Sequence, residues 1–235
     1  MPKEHIVQAY DAELGNLEKM IVEMGERARL QLDQSITSLV EHDVALARTV
    51  VADDIFIDQL ELEVATRATQ IFALRQPVAD DLRSIVAALK ISSDLERIGD
   101  HAKNISKRTI TLTKMPLVSE FGNSLRRIHA LVDNMIHDVL EAYRGRDAKK
   151  ALAVLAQDTE VDKIYTSLFR EILTYMMEDP KNITALTHLL FIAKNIERIG
   201  DHATNIAEQV YYVKTGHYIE RDREKADQAI SIIIE

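Results

Sequence analysis

Apolar residues along this chain recur in alternating steps of four and three. From about Glu4 to Glu41 the series Tyr10, Leu14, Leu17, Ile21, Met24 and Ala28 is the stripe that one face of a helix turns toward a core. The stripe weakens at Gln31 and Ser35, which either face a polar interior or mark a change of face. Asp43 is an N-cap for a second helix carrying Val50, Ile57, Leu60, Val64, Ile71 and Leu74, which stops at Arg75-Gln76-Pro77. A third helix opens near Asp80-Asp81 and presents Ile91, Leu95, Ile98, Ala102 and Ile105. Lys114-Met115-Pro116 reads as a linker. Beyond it a fourth helix carries Phe121, Leu125, Ile128, Val132, Met135 and Val139 and breaks at Gly145. Asp147 caps a fifth, with Val154, Val161, Ile164 and Leu168, and Glu178-Asp179-Pro180 turns the chain into a sixth with Ile192, Ile196, Ile199, Ala203 and Ile206.

The six helices are three helices written twice. The heptapeptide Glu-Arg-Ile-Gly-Asp-His-Ala begins at Glu96 and again at Glu197, an offset of 197 − 96 = 101 residues, and the caps Asp43 and Asp147 are 104 apart. A repeat of about a hundred residues is one structural unit copied. The expected architecture is all-α, two tandem, pseudo-symmetric three-helix bundles at residues 1–114 and 119–214, followed by a charged tail at 215–235 with an apolar cluster, Ile230 to Ile234.

Beside each seam runs an acidic row: Glu96, Asp100 and Asn104 in the first unit, Glu197, Asp201 and Asn205 in the second. Carboxylates one helical turn apart repel, so something must compensate. The short turn at Gln76 to Val78 makes helices two and three antiparallel neighbours. Counted from residue 77, Asp58 and Glu96 each lie 19 residues away, and Asp54 and Asp100 each lie 23 away. The two levels stand about 6 Å apart at 1.5 Å rise per residue. Around Pro180 the same arrangement is rebuilt by Asp158, Asp162, Glu197 and Asp201.

Two readings of each cluster stand side by side. In one, the oxygens bind hard cations such as magnesium, manganese, calcium or iron, or zinc. Asn104 and Asn205 then add carbonyl oxygens, and Glu61 adds a fifth carboxylate whose counterpart in the second unit is Tyr165. In the other, Arg97, Arg198, Lys163 and neighbouring cations neutralise the acids as solvated ion pairs. A row His129, Asp133, His137 and the histidines His101 and His202 are weaker metal candidates.

Composition narrows the function. With 46% apolar residues there is ample core, and seven Gly, four Pro and 5% aromatics suit long helices. The absence of cysteine excludes disulfides and thiolate metal sites. A net charge of −9 lacks the basic stripe that nucleic acid needs, so none is expected as a partner. No apolar run reaches the ~18 residues of a membrane span, and the start, Met1-Pro2-Lys3-Glu4-His5, is too polar for a secretory signal. The expected location is cytoplasmic. Phosphate-cradling Gly-rich loops, a G-x-S-x-G elbow and the E-x-x-H pairs of di-iron bundles are all missing from the sequence.

The paired E-R-I-G-D, the D-x-x-x-D of the preceding helix and the turn R-Q-P-V-A-D-D-L-R from Arg75 to Arg83, with Y-M-M-E-D at Tyr175 to Asp179 and Y-Y-V-K at Tyr211 to Lys214, together resemble the PhoU family of phosphate transport accessory proteins. The resemblance covers nearly the whole chain. It implies two three-helix bundles that self-associate as a homodimer, and multinuclear iron or zinc, alternatively magnesium or manganese, at Asp54 and Asp58, Glu96 and Asp100, Asp158 and Asp162, and Glu197 and Asp201. It also implies a negative regulator of phosphate uptake and phosphate-starvation signalling without catalysis. Such a regulator contacts the ATP-binding subunit of a phosphate ABC transporter and a phosphate-sensing histidine kinase, and meets the membrane only through them. Two other classes compete: a carboxylate-bridged metal-dependent enzyme, which needs an open coordination position, and a metal-free helical adaptor with salt-bridged acids.

Overall fold

The computed structural model describes residues 2–112, 114–115 and 121–219; the Ile230 to Ile234 cluster and most of the central linker lie outside them. Seven α-helices make up nearly all of the described residues: α1 (Pro2–Glu41), α2 (Val44–Asp53), α3 (Ile55–Arg75), α4 (Ala79–Leu112), α5 (Gly122–Gly145), α6 (Ala148–Glu178) and α7 (Ile183–Thr215). A short 3-10 turn, Pro180–Asn182, leads into α7. The helix ends follow the expected chemistry. His42 and Arg146, 104 residues apart, both take left-handed φ, 59° and 48°, and the next residue in each case is the cap. Asp43 accepts from the Leu46 amide at 2.9 Å, and Asp147 accepts from Lys149 and Lys150 at 2.9 and 3.1 Å, which satisfies amides that a helix start leaves orphaned.

One element departs from the pattern. The helix expected to run unbroken from Asp43 to Arg75 is interrupted at Asp54, where the Ile57 amide donates to the Asp54 carbonyl at 2.9 Å, a tighter i+3 closure. The interruption coincides with burial of Asp54, which is only 3% exposed. Its counterpart, Asp158, lies inside the continuous α6.

The seams bury as their spacing requires. All ten apolar seam positions of α4 and α7 named above are 0% exposed, and each large aliphatic side chain withdrawn from water stabilises by about 1.5–3 kcal/mol. The two bundles do not have separate interiors. Helices α4 and α7 pack on each other, as do α1 and α5, so one contiguous apolar core spans both repeats. A Cβ on Gly25 would collide with the Leu140 side chain, so this glycine lets α1 and α5 close together. Across the same contact Arg29 clamps Asp133 with bonds of 2.6 and 2.9 Å, which occupies the middle of the His129, Asp133, His137 row.

Gln31 and Ser35 face a polar interior. Gln31, Ser35 and Ser38 are all buried, and both serine hydroxyls donate to carbonyls of their own helix at 2.7 Å. At the equivalent positions, 104 residues on, α5 carries Met135, Val139 and Ala142, all buried. None of the helices among the described residues is long and apolar enough to cross a membrane.

Candidate functional site

The repeated heptapeptide divides its residues among three directions. Its apolar members enter the core, its acids turn toward the preceding helix of the same bundle, and its histidines turn toward the other bundle. In the first groove, between α3 and α4, Asp54 is met by Lys103, whose Nζ lies 2.5 Å from Asp54 Oδ2 and 3.2 Å from Asp100 Oδ1. Burial raises the Asp54 carboxyl above its ordinary range against the pull of Lys103, with Asp58 and Asp100 adding to the rise. The bond to Asp54 holds Lys103 firmly charged. One level along, burial pushes Glu96 up to about 7, helped by Asp100, Glu61 and Asp58 and opposed by Arg97. Asp54, Asp58, Glu61, Glu96 and Asp100 therefore share one field.

The floor of this groove is Gly99. A Cβ there would lie 2.9 Å from Ile57 Cδ1 and 3.3 Å from both Asp54 Oδ1 and Gln31 Oε1, so two acceptor oxygens converge over the glycine. Gln31 Oε1 is buried and has no hydrogen-bond partner. Such an orphaned acceptor is costly. Gln31 was not among the expected site residues, although its polarity in an otherwise apolar stripe was the signal.

In the second groove, between α6 and α7, the same acids have different company. Glu197 is 7% exposed; its Oε1 accepts from Lys194 at 2.7 Å, while its Oε2 is buried without a partner. Burial raises its pKa, Lys194 opposes, and Asp201 and Asp162 add to the rise. Tyr165, which replaces Glu61, offers its ring to the same ammonium at 5.1 Å, and Asp158 is half-buried one turn before Asp162.

Oxygen donors, buried orphan acceptors and clustered carboxylates suit a hard cation. As they stand, no three His, Asp or Glu side chains among the described residues close to ligating distance. In each groove a lysine ammonium provides the balancing charge instead.

Asn104 and Asn205 are not in these grooves. They line a cleft of about 540 Å³ at the α4–α7 contact, with Arg97, Asp100, His101, Arg198, Asp201 and His202. Every residue in it has its counterpart 101 positions away, so the cleft lies on the internal two-fold of the repeat. His101 Nδ1 is 2.8 Å from Asn195 Oδ1, and His202 Nδ1 is 2.9 Å from Asp94 Oδ1. Burial lowers the pKa of His101, opposed by the Asn195 bond.

Comparison with known proteins fits this duplicated geometry. The PhoU domain model matches residues 21–109 and 125–210. The chain is 45% identical to the phosphate-specific transport system accessory protein PhoU homolog of Rhizobium meliloti, covering 99% of this chain and 98% of that one. It is 48% identical to the homolog of Caulobacter vibrioides, over 95% and 97%. Two crystal structures share the fold: PhoU from Pseudomonas aeruginosa, with TM-score 0.86 and 36% identity over 88% of this chain and 100% of that one, and the phosphate transport system regulatory protein PhoU from Streptococcus pneumoniae, with TM-score 0.84 and 29% identity over 90% and 100%. With both repeats matched and relatives aligned over nearly their full length, this chain belongs to the PhoU family.

Proposed function

We propose that this protein is a phosphate transport accessory protein that restrains phosphate uptake and phosphate-starvation signalling by contact rather than by turnover. Its partners are the ATP-binding subunit of a phosphate ABC transporter and a sensor histidine kinase, met at the cytoplasmic face of the membrane by a homodimer. The relatives aligned over nearly their full length, phosphate-specific transport system accessory proteins, support the transport part of this reading.

In the same reading the two acidic grooves take up divalent cations. Asp54, Asp58, Glu61, Glu96 and Asp100, with Gln31, would hold one; Asp158, Asp162, Glu197 and Asp201 would hold the other. The bound ion would supply positive charge at the position now balanced by Lys103 or Lys194. Magnesium and manganese suit the all-oxygen donor set, and iron or zinc clusters are the alternative. The observation that carries the cation reading is the pair of buried acceptors without partners, Gln31 Oε1 and Glu197 Oε2, one in each groove.

The test joins phosphate uptake in a strain carrying the chain to metal content of the purified protein. An Asp100→Ala, Asp201→Ala double variant is expected to lose bound metal and to release uptake from repression at high phosphate. Full metal loss with unchanged repression would separate the cation from the regulation, and a phosphate-releasing activity in the purified protein would overturn the non-enzymatic reading.

A further inference from the structure

The cleft on the internal two-fold contains two histidines whose ring orientations follow from their hydrogen bonds. Asn195 Nδ2 donates to the Phe191 carbonyl at 2.6 Å, so its oxygen is the atom that faces His101 at 2.8 Å. An amide oxygen only accepts, so His101 Nδ1 carries the proton. On the other side His202 Nδ1 meets Asp94 Oδ1 at 2.9 Å, and Asn205 Nδ2 donates to the same oxygen at 3.2 Å. A carboxylate also only accepts, so His202 is protonated at Nδ1 as well. Asp94 and Asn195, like the two histidines, are 101 residues apart, and each orients the histidine of the opposite bundle.

With Nδ1 turned to these oxygens, Nε2 is the nitrogen of each ring left to meet a metal, the arrangement by which a carboxylate or carbonyl prepares a histidine for a metal. The ring centroids are 5.5 Å apart with planes tilted by 32°. A Zn–N bond of about 2.0–2.1 Å puts each centroid about 3.2 Å from the ion, and two such rings on a tetrahedral ion stand about 5.2 Å apart. The observed separation is close to that span. Asp100 and Asp201, each one residue before its histidine, line the same cleft. An anion in this cleft would face the Asp100 and Asp201 carboxylates.

We propose that this cleft is a third cation site, for a borderline divalent ion such as Zn²⁺, held by Nε2 of His101 and of His202 and completed by water. Imidazole nitrogen distinguishes it from the two all-oxygen grooves. Because its first two ligands come from α4 and α7, occupancy ties the bundles together. The inference does not depend on the regulatory reading or on occupancy of the grooves.

The experiment uses the full chain, saturated with Mg²⁺ to fill oxygen sites, and titrates Zn²⁺ by calorimetry and Co²⁺ by visible absorption. The wild type is expected to bind one Zn²⁺ per chain and to develop intense tetrahedral Co²⁺ bands. The double variant His101→Gln, His202→Gln should lose both, Asn195→Ala should weaken Zn²⁺ by about 10- to 100-fold, and a control at exposed His42 and His217 should change neither. Asp54→Asn should leave the Zn²⁺ site intact while weakening Mg²⁺. Should the double variant misfold, ¹⁵N shifts of the His101 and His202 Nε2 atoms on adding Zn²⁺ to the wild type give the same answer. Unmoved Nε2 resonances, or Co²⁺ spectra alike in wild type and double variant, would overturn the proposal and leave the histidines as a hydrogen-bonded latch between bundles.

Discussion

The two grooves take their α4 and α7 acids from one repeated heptapeptide and are neutralised in different ways. In the first, the surroundings are polar: Gln31 over Gly99, Asp54 at a helix break, and Lys103 three residues after Asp100. In the second, they are apolar. A Cβ on Gly200 would lie 3.6 Å from methyls of Val132 and Val161, and the residues matching Gln31 and Ser35 are Met135 and Val139. The lysine moves to the other side of the acids, three residues before Glu197, and Thr204 stands where the first repeat has Lys103. The duplication kept the carboxylates and reassigned the compensation. Identical motifs therefore do not make identical sites; the neighbouring helix decides which acid is buried and which cation answers it.

The largest contrast should come from the lysines. Lys103→Met leaves Asp54, almost fully buried, without its partner, a loss of about 2–4 kcal/mol in denaturant unfolding. Asp54→Asn in the same chain should recover most of it. Lys194→Met, where the ammonium is more exposed, should cost about half as much. Equal losses would mean that the two grooves do not differ in the way described.

The glycines sharpen the comparison on a smaller scale. Gly99→Ala drives a methyl to 2.9 Å from Ile57 and toward two oxygens, which should destabilise by about 1–3 kcal/mol. Gly200→Ala meets only ordinary contacts, and replacing a helical glycine favours the fold by up to about 1 kcal/mol. Thermal melts of the two variants should move in opposite directions.

Most of this architecture was legible in the amino-acid order. The Asp43 and Asp147 caps appear as expected, and so do the four-three seams except at the end of α3, where Leu74 is 72% exposed, because each rests on local sequence. The break at Asp54 coincides with a contact from Lys103 of another helix, and no local pattern carries it. Asn104 shows the limit of an i, i+4 row. At about 100° per residue, eight residues from Glu96 carry it about 80° around the helix, into the cleft facing α7. Lys103, seven residues on, returns to within about 20° of Glu96 and so faces the acids. The orienting pair Asp94 and Asn195 was invisible for the same reason as the break: each acts across bundles.

Glu96 offers the most direct test of the cation grooves. Its folded pKa of about 7 lies above the unfolded value of about 4.3, so the folded state holds this proton more tightly. The stability it contributes is present in full below the unfolded value and is lost as pH rises to about 7, a slope that Glu96→Gln should remove. A ¹³C titration of the Glu96 carboxyl in cation-free protein, repeated at saturating Mg²⁺, reads the groove itself. A midpoint near 7 that falls when Mg²⁺ is added would bear out a carboxylate groove that takes up a cation; a midpoint indifferent to Mg²⁺ and Mn²⁺ would contradict it.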